Sequence, residues 1–127
     1  RIKAEVFRGQ AIGNYNAAII QIFTPFTLQA ISTTGGWAEF FIHWNDCLQS
    51  HIGFGIDDPD NGDLSPGLPS RKQLSLANLI WGLDGGLQIG FEIGHYQTDY
   101  FPGAMINGRP ILDNSALVYR TRVQLKF

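Results

Sequence analysis

The chain has 127 residues, 44% hydrophobic and 13% aromatic, with only 16% charged and a formal net charge of −2. That length suits one domain, and a near-neutral chain with no basic cluster is not built to bind nucleic acid. Charge is low for a soluble domain, yet no apolar run approaches the ~20 residues of a membrane helix, which leaves a soluble all-β domain or a membrane barrel.

Alternation at period two runs along the chain, and no stretch holds the i, i+3, i+4, i+7 spacing of a long helix. Ile2, Ala4 and Val6 alternate with Lys3 and Glu5, and the phase breaks at Phe7-Arg8-Gly9. Segment 13–35 follows, with Tyr15, Ile19, Ile20, Phe23 and Phe26. It is too apolar for a free surface loop, so it is expected to fold into a lumen or to pack at a subunit contact. Next, Ala38, Phe40, Ile42 and Trp44 oppose Trp37, Glu39, Phe41 and His43. Asn45-Asp46-Cys47 reads as a tight turn of residues that tolerate positive φ. Beyond it, Leu48, Ile52, Phe54 and Ile56 oppose Gln49, His51, Gly53 and Gly55.

Segment 57–72, rich in Asp, Pro and Gly, reads as a long loop. Residues 74–83 form a less regular strand, apolar on both faces and interrupted by Asn78. After the turn Asp84-Gly85-Gly86, Leu87, Ile89, Phe91 and Ile93 oppose Gln88, Gly90, Glu92 and Gly94. A second loop, 101–115, leads to the last strand, where Leu117, Tyr119, Thr121, Val123, Leu125 and Phe127 oppose Val118, Arg120, Arg122, Gln124 and Lys126. The result is about six strands of a length that crosses a bilayer. Short turns on one rim and long loops on the other are the layout of outer-membrane barrels, with short periplasmic turns and long outer loops.

Alternation does not by itself separate a soluble barrel from a membrane one. Three features favour the membrane. One face collects Lys3, Glu5, Glu39, His43, His51, Glu92, Arg120, Arg122 and Lys126 among small glycines, as a water-filled wall would. Trp44, Trp81, Tyr96, Tyr100, Tyr119 and Phe127 stand near expected strand ends, where aromatic girdles sit. The final strand carries its alternation to a terminal aromatic residue.

That ending, Tyr119-x-x-x-Val123-x-Leu125-x-Phe127, resembles the terminal-strand signal of outer-membrane barrels. Further segments extend the likeness: Gly35-Gly36-Trp37-Ala38-Glu39, Gly53-Phe54-Gly55-Ile56-Asp57-Asp58-Pro59, Arg71 and Asn78-Leu79-Ile80-Trp81. Together they resemble the C-terminal region of porin-like bacterial outer-membrane β-barrel proteins. The resemblance implies an all-β, antiparallel transmembrane β-barrel, with residues 1–127 as the C-terminal part of one barrel domain. It also implies outer-membrane lipid and the barrel-assembly machinery as partners, with Tyr119, Val123, Leu125 and Phe127 as the assembly signal. About six strands are fewer than the eight of the smallest membrane barrels, so the barrel would be longer than this chain or shared by several copies.

The expected function is a channel for passive diffusion of small hydrophilic solutes, with no cofactor and a possible homo-oligomer. Glu39, His51, Glu92, Arg120, Arg122 and Lys126 are its candidate pore-lining residues. Arg120, Arg122, Lys126 and Lys3 read as a basic strip, with Glu5, Glu39 and Glu92 elsewhere on the wall; opposed charges across a pore tune ion preference, and the alternative, not exclusive of it, is that these charges pair and hold the lumen in shape. The alternatives are a non-conducting structural or surface-interaction barrel and a soluble β-barrel that binds a ligand.

Other chemistry is thinner. Asp57, Asp58, Asp60 and Asp63 make an oxygen-rich stretch and a weak Ca²⁺ candidate, although the EF-hand pattern fails at Gly62 and at position twelve. His43 and His51 are placed for a cross-strand pair, but no third ligand has a suggestive spacing. Cys47 is alone, which leaves no intrachain disulfide. Ser50 and His51 are adjacent on a strand and so face opposite ways. Nucleophile, zinc and phosphate motifs are absent, and no enzymatic activity is expected.

Overall fold

The computed structural model describes residues 1–11, 23–24 and 28–125. Its long strands are β1 (Ile2–Gln10), β2 (Ser32–His43), β3 (Leu48–Pro59), β4 (Pro69–Gly82) and β5 (Leu87–Tyr100). A small hairpin of β6 (Met105–Ile106) and β7 (Arg109–Pro110) precedes the last long strand, β8 (Asp113–Leu125). The six long strands form one antiparallel sheet in the order β1-β2-β3-β4-β5-β8, each beside its neighbour in sequence. The described residues contain two single 3-10 turns, Asn61–Asp63 and Asp84–Gly86, and no α-helix. The fold is therefore all-β and antiparallel. The sheet does not close on itself: β1 and β8 are its edges.

The strands run further into the expected loops than alternation suggests. β1 continues through the apparent phase break, with Val6 opposite Gly36, Phe7 opposite Gly35 and Arg8 opposite Thr34. The physical reason is Gly35. A Cβ there would lie 2.5 Å from Cζ of Phe7, so the missing side chain is the space that the Phe7 ring fills. Gly35 and Gly36 thus belong inside β2, which starts at Ser32. β3 takes Asp57 and Asp58 into the ladder and ends at Pro59, a position where a missing N–H is tolerated. β4 starts at Pro69 and has a register shift between Pro69 and Arg71.

Two turns close one rim. In the first, no residue of Asn45-Asp46-Cys47 has positive φ, contrary to expectation. Instead the Asn45 Oδ1 accepts the N–H groups of Cys47 and Leu48 at 2.9 and 2.8 Å, an Asx turn that organises the reversal from the side chain. In the second, Gly85 and Gly86 do take φ of 78° and 81°, the left-handed region that glycine enters without a Cβ penalty.

The opposite rim carries the long loops and what buried hydrophobic material the described residues contain, Ile31 and Leu64. Thr24 Oγ1 donates to the carbonyls of Gln29 and Asp63 at 3.1 and 3.3 Å. The Asp63 carboxylate accepts the Ser32 N–H at 2.9 Å and the Gln29 amide at 3.3 Å. The loop before β2 is thereby tied to the loop after β3. Tyr15, Ile19, Ile20 and Phe26, expected to fold inward or against a partner, lie outside the described residues.

Candidate functional site

Partners opposite one another in an antiparallel ladder project to the same face, so the register sorts every strand residue. One face carries the rows Ile2–Phe40–Ile52–Ala77–Ile93–Tyr119 and Ala4–Ala38–Phe54–Ser75–His95–Leu117. Towards the short turns it continues with Leu79–Phe91–Thr121 and Trp81–Ile89–Val123. Every large hydrophobic residue that is exposed on the six long strands lies here, from Ile2 at 69% and Phe91 at 56% to Tyr119 at 72%. Towards the loops, this apolar band ends in charge: Asp58 pairs with Arg71 at 3.7 Å, and Arg71, Asp99 and Asp113 stand opposite one another.

The other face is the reverse. Every buried residue of the long strands projects from it, namely Thr33, Gly35, Gly53, Asp57, Pro59 and Gly94. Its large apolar residues, among them Phe7, Trp37, Leu74, Leu76 and Ile80, are half-buried rather than exposed. In a single-layer sheet, side chains shield one another where they converge. The charged face is accordingly the concave side of the sheet and the apolar face its convex side.

All five described candidates for a pore lining share the concave face. Phe41, His51, Asn78, Glu92 and Arg120 form one row across five strands, with Lys3 and Glu39 in the next row and His43 and Arg122 in the one before. The expected division into a basic strip and a separate acidic wall is corrected here. Glu92 stands directly opposite Arg120 and accepts its Nη1 at 2.9 Å, while Nη2 reaches the Tyr96 hydroxyl at 3.0 Å. Arg122 bonds to Gln124 instead of to an acid. Lys126 lies outside the described residues.

Near the short turns, the Lys3 ammonium stands 5.3 Å from the centroid of the Phe41 ring, and the His51 ring packs 4.3 Å from it. His43 is opposite Gln49 rather than His51, so the two histidines share a face without being direct partners. His95 is on the convex face. Ser50 projects to the convex face, away from His51, and accepts the Trp44 indole N–H at 2.9 Å.

The four aspartates diverge. Asp57 is buried and accepts the Thr33 hydroxyl at 2.6 Å. Asp58 pairs with Arg71. Asp60 accepts the Gly62 N–H at 2.9 Å, and Asp63 holds Ser32 and Gln29. Each carboxylate serves its own strand end or loop, and no group of three or more His, Cys, Asp or Glu among the described residues is placed to hold a metal.

Of the residues expected to form an assembly signal, Tyr119, Val123 and Leu125 project together from the convex face, while Phe127 lies outside the described residues. Two members of the expected aromatic girdles are corrected. Tyr119 lies mid-strand, opposite Ile93, and Tyr96 projects to the concave face beside Leu74. Trp44 and Trp81 do sit at the short-turn rim, 61% and 53% exposed.

The concave face also holds a hollow of about 620 Å³, lined chiefly by Phe7, Trp37, Glu39, Leu74, Leu76 and Tyr96 over the backbone of Gly53 and Gly55. The parity of Trp37 and Tyr96 with charged neighbours is visible in the sequence, but their convergence across strands is not. Comparison with protein-family models, curated proteins and solved structures gives no match for this chain.

Proposed function

We propose that residues 1–127 form part of an outer-membrane β-barrel, and that the barrel is a porin-like channel for passive diffusion of small hydrophilic solutes. The observation that carries the proposal is the asymmetry of the faces. A soluble β-barrel packs its apolar residues on the concave side, where they form the core. Here the large exposed apolar residues of the six long strands are all on the convex side, and Lys3, Glu39, Glu92, Arg120 and Arg122 are inside the curve. Leaving such a face in water forgoes roughly 1.5–3 kcal/mol for each large side chain. A hydrocarbon solvent removes that penalty.

Dimensions agree with this use. Leu117 to Leu125 bound the apolar positions of β8, a rise of about 26 Å along the strand. At the ~40° tilt of membrane strands this spans roughly 20 Å of bilayer, against a typical apolar band of ~25 Å. The open edges of β1 and β8 point to further strands, because unpaired backbone N–H and C=O groups are not tolerated in hydrocarbon. Glu39, His51, Glu92, Arg120 and Arg122 would then line the lumen, with the short turns periplasmic.

Fractionation of the native protein, followed by electrophoresis before and after heating in mild detergent, tests the barrel. Retention in outer membranes with a heat-dependent band shift is the expected result, and recovery from the aqueous fraction would overturn it. Planar-bilayer conductance then separates a channel from a non-conducting surface barrel.

A further inference from the structure

Glycines of the concave face fall into two kinds. At Gly35 and Gly53 a Cβ would crowd its surroundings, at 2.5 Å from Phe7 and 3.1 Å from Leu76, and at Gly94 it would lie 3.2 Å from the Tyr96 ring. Packing accounts for these three. Gly55 is different. Its nearest would-be neighbour is Cβ of Trp37 at 3.7 Å, an ordinary contact, and its φ is not in the left-handed region. The ladder passes through it in register on both sides, opposite Trp37 on β2 and Leu74 on β4.

A mid-strand glycine weakens a sheet, and it otherwise marks a bulge, a bend or the close approach of another molecule. No bulge occurs at Gly55. What its missing side chain does create is the floor of the 620 Å³ hollow, between Trp37 and Leu74 with Tyr96 beyond. That volume falls within the 300–1,000 Å³ of small-ligand sites.

We propose that this hollow is a binding site for an uncharged, hydroxylated ring of monosaccharide size, held over Gly55. The inference rests on the channel reading and adds a solute class to it. Three features of the lining select the ligand. The Trp37 and Tyr96 rings and the leucines offer flat apolar surface that suits the C–H face of a pyranose. Glu39 and Lys72 border the hollow and supply an acceptor and a donor for ring hydroxyls. Their charges are opposite, so a net anion or cation gains no overall attraction, while a purely apolar ring would desolvate both groups without pairing them.

The test is intrinsic tryptophan fluorescence of the full protein in detergent, titrated with methyl glucoside and, separately, with benzoate and cyclohexanol. Methyl glucoside is expected to give a saturable change. Gly55→Val, which places two methyl groups in the hollow, should weaken it by about tenfold or more, the scale of a methylene-sized misfit in a close-fitting pocket. Gly55→Ala, whose Cβ meets nothing nearer than 3.7 Å, carries the test if the valine variant does not fold, and should weaken binding by a smaller factor.

Equal affinity of wild type and the folded Gly55 variants would overturn the site. No saturable glucoside signal, or a stronger response to benzoate or cyclohexanol, would overturn the ligand class. Bilayer conductance of the same preparations keeps the two proposals apart: a conducting wild type without glucoside binding refutes the site alone, and a non-conducting barrel that binds glucoside refutes the channel alone.

Discussion

Replacing Phe91 with arginine separates lipid from water as the solvent of the convex face. Phe91 is the middle of the five positions from Leu87 to His95 that β5 presents on that face before the polar Gln97 and Asp99, and it is 56% exposed. In a bilayer its position would be near the midplane, where an arginine costs about 2–4 kcal/mol. Loss of the phenyl group from hydrocarbon adds roughly 1.5–3 kcal/mol. The total, about 3.5–7 kcal/mol, is a large fraction of the 5–15 kcal/mol that stabilises most domains. In water the same substitution replaces an exposed apolar residue with a charged one and should change stability by no more than about 0.5 kcal/mol. Denaturant unfolding of the protein folded into lipid vesicles measures the difference. Leu125→Arg, beside the short-turn rim, is the depth control, with a charge penalty of only about 0–1 kcal/mol. A Phe91→Arg variant that unfolds within about 0.5 kcal/mol of the wild type would refute the assignment of this face to lipid.

Three further outcomes are expected. Gly35→Ala should destabilise by about 1–3 kcal/mol, because its Cβ would meet both the Phe7 ring at 2.5 Å and the Ile56 carbonyl at 2.6 Å; Gly90→Ala, with nothing nearer than 3.8 Å, serves as a neutral comparison in the same unfolding assay. Thr33→Val should cost roughly 1–3 kcal/mol by removing the donor at 2.6 Å from buried Asp57, read by the same denaturant midpoint. In bilayers under a salt gradient, Arg120→Gln combined with Arg122→Gln should move the reversal potential towards cation preference, and Glu92→Gln should move it towards anion preference by leaving Arg120 without its carboxylate partner. An unchanged potential would remove these residues from selectivity.

The strands were legible because alternation is a direct consequence of the pleat. Leu87 to Gly94 and Leu117 to Gln124 sort correctly by parity alone, and so does every described residue assigned to the charged face. Strand ends were less legible, since they are fixed by partners and not by local pattern. Gly35 reads as the end of the long segment before the Trp37 strand until β1 is placed beside it and the Phe7 ring is found over Gly35. Asp57 and Asp58 read as loop carboxylates until Thr33 and Arg71 meet them from β2 and β4. The Arg120–Glu92 pair was hidden for the same reason, as parity gives the face of each residue but not its register with the next strand.

The direction of curvature is the property that alternation leaves open, and under the proposed reading it separates a soluble core from a lipid surface. The concave-face glycines bear on it through their neighbours. Gly35, Gly53 and Gly94 all project to the charged face, and each is covered by a large side chain from a nearby position, Phe7, Leu76 and Tyr96. Removing side-chain volume on one face lets the strands close towards that face, which accords with the charged face being the concave one. The convex side is left with Phe40, Ile52, Phe54, Leu79, Phe91 and Tyr119, which are all exposed and have no second layer over them among the described residues. A sequence with the same alternation but its glycines on the apolar face would curve the other way and enclose a hydrophobic core. The positions of a few glycines relative to the alternation thus carry the information that the hydrophobic pattern lacks.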